Sequence, residues 1–525
     1  LIRKPLKMTW SLSKDQRDET VKRVAANLFC LAFTKGLPIT DDVVLDAACT
    51  FERRAYTAAT VSSNVTTGSR PAAETTLGYA RKLAELMIEM VKSGGKYEPD
   101  ASAAISGAGA EVVDLMGSRD FLTSESTEAA LRTMLTPGSQ VSKVRFSSKS
   151  FGRDAATVAA KALTNVSKTI SIADISDIIA GRPEDEALDS LRIISAALAQ
   201  ATHLKELNLS DNALGEKGVR ACSEALTKQT CLESLSLQNV GCSIFACKAV
   251  AELLTASQHL RQLHLFNNMS DNEGAMHIAS ILARSPCMQD FRMASSRVGP
   301  QGGSALAQAL GGAGNSLVRL DISDNPMTEG VAPALAALVR SQPQIKALNL
   351  NDTSLTDKGA TAVALAIAES APKLEELEMA LNEITPQGAR AVAVAVANKQ
   401  HLWKLNLREN ELEDRGAVII SKGIAKAPAL RHIDLCGNQL KRVGAVAAAK
   451  GVAGLAGLQL LALDENMVSE AGLDEVRQVM SQAGKAAALG PLEENMEESD
   501  EELDEEEEEE QEDSGLSALF AKAGL

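Results

Sequence analysis

Ten segments of this 525-residue chain repeat the pattern L-x-x-L-x-L-x-x-N-x-L at a spacing of 28 or 29 residues. Seven of them place Asn at one position: Asn212, Asn268, Asn325, Asn382, Asn410, Asn438 and Asn466. The other three hold Val240, Ser296 and Thr353 there, in unbroken register. One unit of that length cannot bury its apolar face alone, so units must stack, each adding one strand and one helix to a continuous core. The fold class that follows is α/β, a leucine-rich repeat solenoid, and function is to be sought on a curved binding surface.

The repeat accounts for its own residues. In Leu204-Lys205-Glu206-Leu207-Asn208-Leu209 the alternation turns the leucines inward and Asn208 outward, onto the concave strand face. The ladder Asn side chains, buried at the strand ends, are expected to satisfy backbone groups of the irregular turn. A glycine row follows, with Gly218, Gly274, Gly302, Gly330, Gly359, Gly388, Gly416, Gly444 and Gly472. Each is predicted to open an Ala-rich helix that packs closely on the sheet. The Asn, Leu and Gly rows therefore read as scaffold.

Composition narrows the function classes. Eight Cys show no metal-ligand spacing, which points to free thiols in a reducing compartment and to no metal site. Neither a long apolar run nor a signal-type segment is present, so a soluble cytosolic or nuclear chain without direct membrane insertion is expected. The net charge of −16 is local: sixteen Asp or Glu lie between Glu493 and Asp513, and without them 53 acidic residues face 53 basic ones. Such a run repels itself and is expected to be disordered. Along the outward strand row, Asn208, His264, Arg292, Asp321 and Glu378 mix signs, which argues against nucleic acid as a partner. A zinc-protease motif, a G-x-S-x-G elbow and a phosphate-cradling loop are all missing, so the chain is not expected to be an enzyme or to hold a cofactor.

Four regions are expected. Residues 8–95 form a small helical domain, with amphipathic stretches at 15–33 and 77–91. Residues 96–140 are a linker or degenerate cap, 141–485 carry about twelve repeats counting two imperfect ones, and 486–525 form the acidic tail. The chain opens on Leu1 rather than Met, which suggests Met8 as the natural start or a fragment.

Two departures from the repeat draw the eye. In Ser176-Asp177-Ile178-Ile179-Ala180-Gly181-Arg182-Pro183, Arg182 falls just after the turn glycine, on the rim between strand and helix. A solvated arginine balancing Glu184, Asp185 and Glu186 is the bland alternative. In Leu237-Gln238-Asn239-Val240 the ladder place is apolar and an Asn precedes it, so Asn239 should face outward while Val240 faces in. A register lapse in a degenerate repeat explains this equally well. The two residues are two repeats apart, about 10 Å along one rim if both side chains project from it.

The strings 176–188, Leu209-Ser210-Asp211-Asn212-Ala213-Leu214-Gly215-Glu216-Lys217-Gly218, Phe266-Asn267-Asn268-Met269 and Leu489-Gly490-Pro491-Leu492 closely resemble the Ran GTPase-activating proteins of plants and green algae. The N-terminal region resembles that family's WPP domain through Trp10, with Trp10-Ser11-Leu12 standing where Trp-Pro-Pro is usual. The resemblance implies an activator that stimulates GTP hydrolysis by Ran in trans and so supports nucleocytoplasmic transport. It implies that Asn239 and Arg182 are the essential pair, Asn239 positioning the GTPase's own glutamine and Arg182 holding its switch region, with Asp177, Asp211 and Asn267 as partner contacts. Ran-GTP would be the partner, carrying the nucleotide and Mg2+ itself. The WPP-like unit, with Trp10, would attach to anchoring proteins at the cytoplasmic face of the nuclear envelope. The alternative is a passive binding scaffold like the ribonuclease inhibitors, horseshoes whose repeat length this chain shares.

Overall fold

The computed structural model describes residues 111–495 except 313, 315 and 398, together with 72–92 and parts of 17–56. Trp10 and the acidic stretch beyond 495 lie outside the described residues. Two compact units divide at 109/110. In the first, helix Ala72–Lys92 turns Tyr79, Leu83, Leu86 and Met90 into a small core with Val24, Leu28, Val44 and Phe51. Among its described residues the buried carboxylate of Glu52 is matched by Arg17 at 2.6 Å and accepts from the Tyr79 hydroxyl at 3.1 Å, as a buried charge requires. Among the described residues no helix is long and apolar enough to cross a membrane.

The second unit is built on a 13-stranded parallel sheet whose strand order follows the chain. It starts with β1 (Glu111–Asp114), β3 (Val141–Arg145), β5 (Ile172–Asp174), β6 (Glu206–Asn208), β7 (Ser234–Ser236) and β8 (Gln262–His264), and seven more strands continue to Leu460–Ala462. A separate pair is formed by β2 (Asp120–Leu122) and β4 (Lys149–Phe151). Leucines stack in register, Leu207 opposite Leu235 and Leu235 opposite Leu263, and each is at most 1% exposed. Each repeat then crosses back through a helix; that of Thr356–Ser370 buries Ala360, Val363, Ala364, Ala366 and Ile367. A strand of three residues is too short to be stable alone, so only stacking holds it.

The glycine row stands in the first helical turn, Gly359 in that of Thr356–Ser370 and Gly302 in that of Pro300–Gly312. Its cause is helix-to-helix approach. A Cβ on Gly302 would come 2.9 Å from both Ala275 Cβ and Val298 Cγ1 and 3.0 Å from the Asn272 backbone. No larger residue fits without pushing successive repeats apart.

The carboxamide ladder closes each turn. Asn268 Nδ2 donates to Leu237 O at 2.9 Å and Leu265 O at 3.0 Å, while its Oδ1 accepts from Val240 N at 3.2 Å and Cys242 N at 2.9 Å. One side chain thus satisfies its own turn and that of the preceding repeat. Where Thr353 replaces Asn, its hydroxyl still donates to Leu350 O at 2.7 Å. A second row serves the helix ends: Gln229 Nε2 donates to Leu198 O, Gln342 Nε2 to Leu310 O, and Lys399 Nζ to Ile367 O and Ala371 O. Leu198 O, Ile367 O and Ala371 O each accept one backbone N–H as well, so the side chains fill acceptor capacity that the helix ends leave over.

Both ends of the solenoid extend beyond the expected bounds. The segment expected as linker or cap is folded from Glu111 onward: β1 pairs with β3, and Leu131 and Met134 are fully buried. At the other end the tail was expected from 486, yet Leu489 bridges to Leu461 and Asn495 Oδ1 accepts from Asn466 N at 3.2 Å. Asn495 is one more rung, because the last repeat's turn also needs an acceptor.

Asn268→Ala should lower stability by about 3 kcal/mol in urea unfolding, because two buried amides and two carbonyls lose their partner together. Burial pushes the Lys399 ammonium down to about 8, so the folded chain carries a desolvated charge at neutral pH. Lys399→Gln, which restores the residue found at 229 and 342, should raise stability at pH 7 by about 1–3 kcal/mol. Between about pH 8 and 10.5 the unfolded wild-type chain binds more protons than the folded one, so its stability climbs and the variant's advantage shrinks. Melting curves at pH 7 and pH 10 check both points.

Candidate partner-binding rim

Just before each ladder position the chain passes through the left-handed region. Asp177, Asp211, Asn239, Asn267, Ser295 and Asp324 all have φ between 49° and 61°. The reason lies in the pairing beyond the strand: the backbone N–H here must reach the carbonyl of the next repeat, as Asn239 N does to Phe266 O at 2.8 Å and Asp211 N to Gln238 O at 2.9 Å. Asn and Asp tolerate this conformation better than other residues with a Cβ. Asn239 is therefore no lapse of register. It occupies the rim place of its repeat and is exposed, with fully buried Val240 behind it.

Neighbours in this row orient the Asn239 carboxamide. Its Nδ2 donates to Asp211 Oδ1 at 2.9 Å, and its Oδ1 accepts from Asn267 Nδ2 at 3.1 Å. The structure thus brings Asp211, Asn239 and Asn267 together in one directional chain across β6, β7 and β8. Asp177 belongs to the same row, but its carboxylate is ion-paired with Arg119 of the N-terminal cap and is 14% exposed. The carboxylate expected as a partner contact is thus held by the cap on one side.

Arg182 departs further from expectation. It follows Gly181, whose φ is +75°, and precedes helix Glu184–Leu198, so its backbone is on the strand–helix turn as the spacing predicts. Its side chain does not project from the rim and is 16% exposed. Nε donates to Ser150 Oγ at 2.9 Å and Nη2 to Ser150 O at 2.9 Å, while Nη1 lies 3.5 Å from Glu186 Oε1. Phe121 covers the guanidinium from the other side. The solvated alternative fails for the same reason, since backbone and hydroxyl acceptors take more of this cation than carboxylates do.

Phe266 and Met269 flank Asn267 and Asn268 in the chain and are 47% and 49% exposed, and neither is given a role of its own from the sequence. A cleft of about 460 Å³ beside them is lined by Asn239, Asn267, Met269, Ser295 and Arg297. The sequence did carry a signal: Phe266 stands where other repeats have Ser210, Gln238, Ala294 and Ser323. Exposed aromatic and Met side chains grouped around polar ones are the composition of a protein-binding patch. No cluster able to hold a metal ion occurs among the described residues.

The Leucine Rich repeat family matches residues 200–221, 343–364, 370–393 and 398–421. The fold is a leucine-rich repeat solenoid. Curated relatives include RAN GTPase-activating protein 1 of Arabidopsis thaliana, 41% identical over 144 residues (27% of this chain and 26% of the relative). RAN GTPase-activating protein 2 of the same plant is 40% identical over 148 residues, 27% of each chain. The resemblance seen in the motifs is thus to the proteins that the comparison finds, and the matched stretch spans about a quarter of their length. Among solved structures, an internalin from Listeria monocytogenes matches at 15% identity over 72% of this chain and 87% of its own, with a TM-score of 0.39.

If the left-handed backbone sets the residue at the rim, Asn239→Gly should melt within about 0.5 kcal/mol of wild type while Asn239→Val loses about 1–2 kcal/mol. Thermal unfolding of the two variants side by side decides this, and equal stability would mean that the turn is not held in that conformation.

Proposed function

We propose that this chain activates GTP hydrolysis by Ran, ordering the GTPase's own machinery in trans and thereby supporting nucleocytoplasmic transport. The observation that carries the reading is the exposed Asn239 carboxamide, oriented by Asp211 and Asn267 and flanked by Phe266 and Met269, in a chain whose matched relatives are Ran GTPase-activating proteins. A carboxamide both donates and accepts, so it can hold a glutamine of the partner in the pose that aims the attacking water. That help is preorganisation, which lowers the barrier without a covalent step.

The seating of Arg182 favours this reading over an inserted arginine finger. A finger must reach the transferred phosphate and is worth on the order of 10³ to 10⁵ in rate. A guanidinium already bonded to Ser150 is better suited to bracing the surface on which the switch region docks. GTP and Mg2+ belong to the partner in this scheme, and the solenoid supplies no nucleotide site. The N-terminal unit, with Trp10, would anchor the protein at the cytoplasmic face of the nuclear envelope.

Trace amounts of the protein added to excess Ran-GTP should accelerate phosphate release far beyond one turnover per activator. Asn239→Gly should reduce the stimulated rate on the order of 10²-fold without unfolding the solenoid. Stoichiometric binding with no acceleration would replace this reading with that of a passive inhibitor scaffold.

A further inference from the structure

The groups that hold Arg182 come from two paired strands outside the regular repeats. Phe121 in β2 and Ser150 in β4 are direct partners in the parallel register, and they meet the guanidinium on different sides. Ser150, fully buried, accepts from Nε through Oγ and from Nη2 through its carbonyl, both at 2.9 Å. Its hydroxyl in turn donates to Ala180 O at 2.8 Å, which ties the seat to the turn that carries Arg182. Phe121 sets its ring centre 4.9 Å from Arg182 Cζ, within cation–π range, although 58% of the residue is exposed. The chain makes room for that ring. A Cβ on Gly181 would lie 2.8 Å from Phe121 Cζ, so glycine is needed there for clearance as well as for its positive φ.

We propose that Phe121 is a positioning residue for Arg182, and that the cap strand β2 is therefore a working part of the site rather than a cover for the end of the sheet. An unrestrained arginine spreads over many rotamers, which a partner would have to freeze on docking. The ring and the Ser150 acceptors impose that order beforehand. What the ring contributes is its electron-rich face, so an aliphatic side chain of similar bulk does not replace it. This inference rests on the reading of the chain as an activator of Ran.

The full-length protein and its variants are compared for stimulated hydrolysis by Ran, with melting temperatures measured alongside. Phe121→Ala and Phe121→Leu should each lower kcat/KM about three- to ten-fold, while Phe121→Tyr retains it. In an Arg182→Ala background Phe121→Ala should change nothing more, whereas a merely destabilising substitution would add its own loss. Wild-type activity in Phe121→Leu, or an undiminished Phe121 effect in the Arg182→Ala background, overturns the proposal. Should the wild-type protein fail to stimulate Ran at all, the functional reading falls by itself. The seat is then judged on the Arg182 Nε–H resonance of arginine-labelled protein. Exchange broadening in Phe121→Leu but not in Phe121→Tyr supports the seat; an unchanged resonance in both overturns it.

Discussion

The buried carboxamide ladder is the interaction on which the rest of this structure depends. A three-residue strand leaves most of its turn without sheet partners, and those amides and carbonyls lie too deep for water to reach them. Asn268 meets four of them at once, which no aliphatic residue can do. The same bonds join each repeat to the one before it, so the spacing between repeats is set by hydrogen-bond length and the leucines stack without choice of register. An apolar core alone would leave the stack free to slip; the carboxamides remove that freedom.

The rim is a by-product of the same stacking. For its N–H to reach the carbonyl of the next repeat, the residue before the ladder position turns through positive φ, whether Asn, Val240 or Ser296 follows, and its own side chain is then thrown outward at the edge. Every repeat therefore offers one outward group at the same height, and the character of the row is set by which residues stand in it. Acidic residues stand at 211, 324 and 352, and carboxamides at 239 and 267. Between neighbours in such a row the side chains are close enough to bond, which is how Asp211 and Asn267 hold Asn239. Orientation comes without any further element.

Periodicity made most of this legible in advance. The leucine, Asn and Gly rows recur at fixed spacing, and a recurring residue has a recurring cause, so the sheet, its parallel order and the outward face of Asn239 all follow from the repeat. The pose of Arg182 did not follow. Its partners Phe121 and Ser150 lie 61 and 32 residues earlier by numbering, the first ahead of the repeats and the second in an imperfect one, and nothing in residues 176–188 shows that an aromatic ring will cover the guanidinium. Asn495 was missed for a related reason. Leu489-Gly490-Pro491-Leu492 departs from the strand pattern, and its meaning as a last rung emerges only when Asn466 N is found in need of an acceptor. The exposed Phe266 belongs to a third kind, a residue whose signal is its contrast with equivalent positions rather than its own spacing.

A solenoid of identical units would bind the same way all along its length, so selectivity has to come from where the units differ. In this chain the differences gather toward the N-terminal end of the sheet. There the cap lays Phe121 and Arg119 against the first turns, Val240 interrupts the ladder, and Phe266 stands exposed where other repeats have Ser210, Gln238 and Ser323. Farther along, Arg408 pairs with both Glu409 and Glu465 on the rim, and the strand faces carry paired charges such as Lys404 with Glu378 and Arg319 with Glu376. Paired surface charges contribute little net binding energy, and they leave that region a poor competitor for an apolar partner surface. The stretch from β5 to β8 combines the exposed Phe266 and Met269 with side chains at Asp211, Asn239 and Asn267 that already hold one another in place. The regular repeats beyond it serve by holding that stretch rigid.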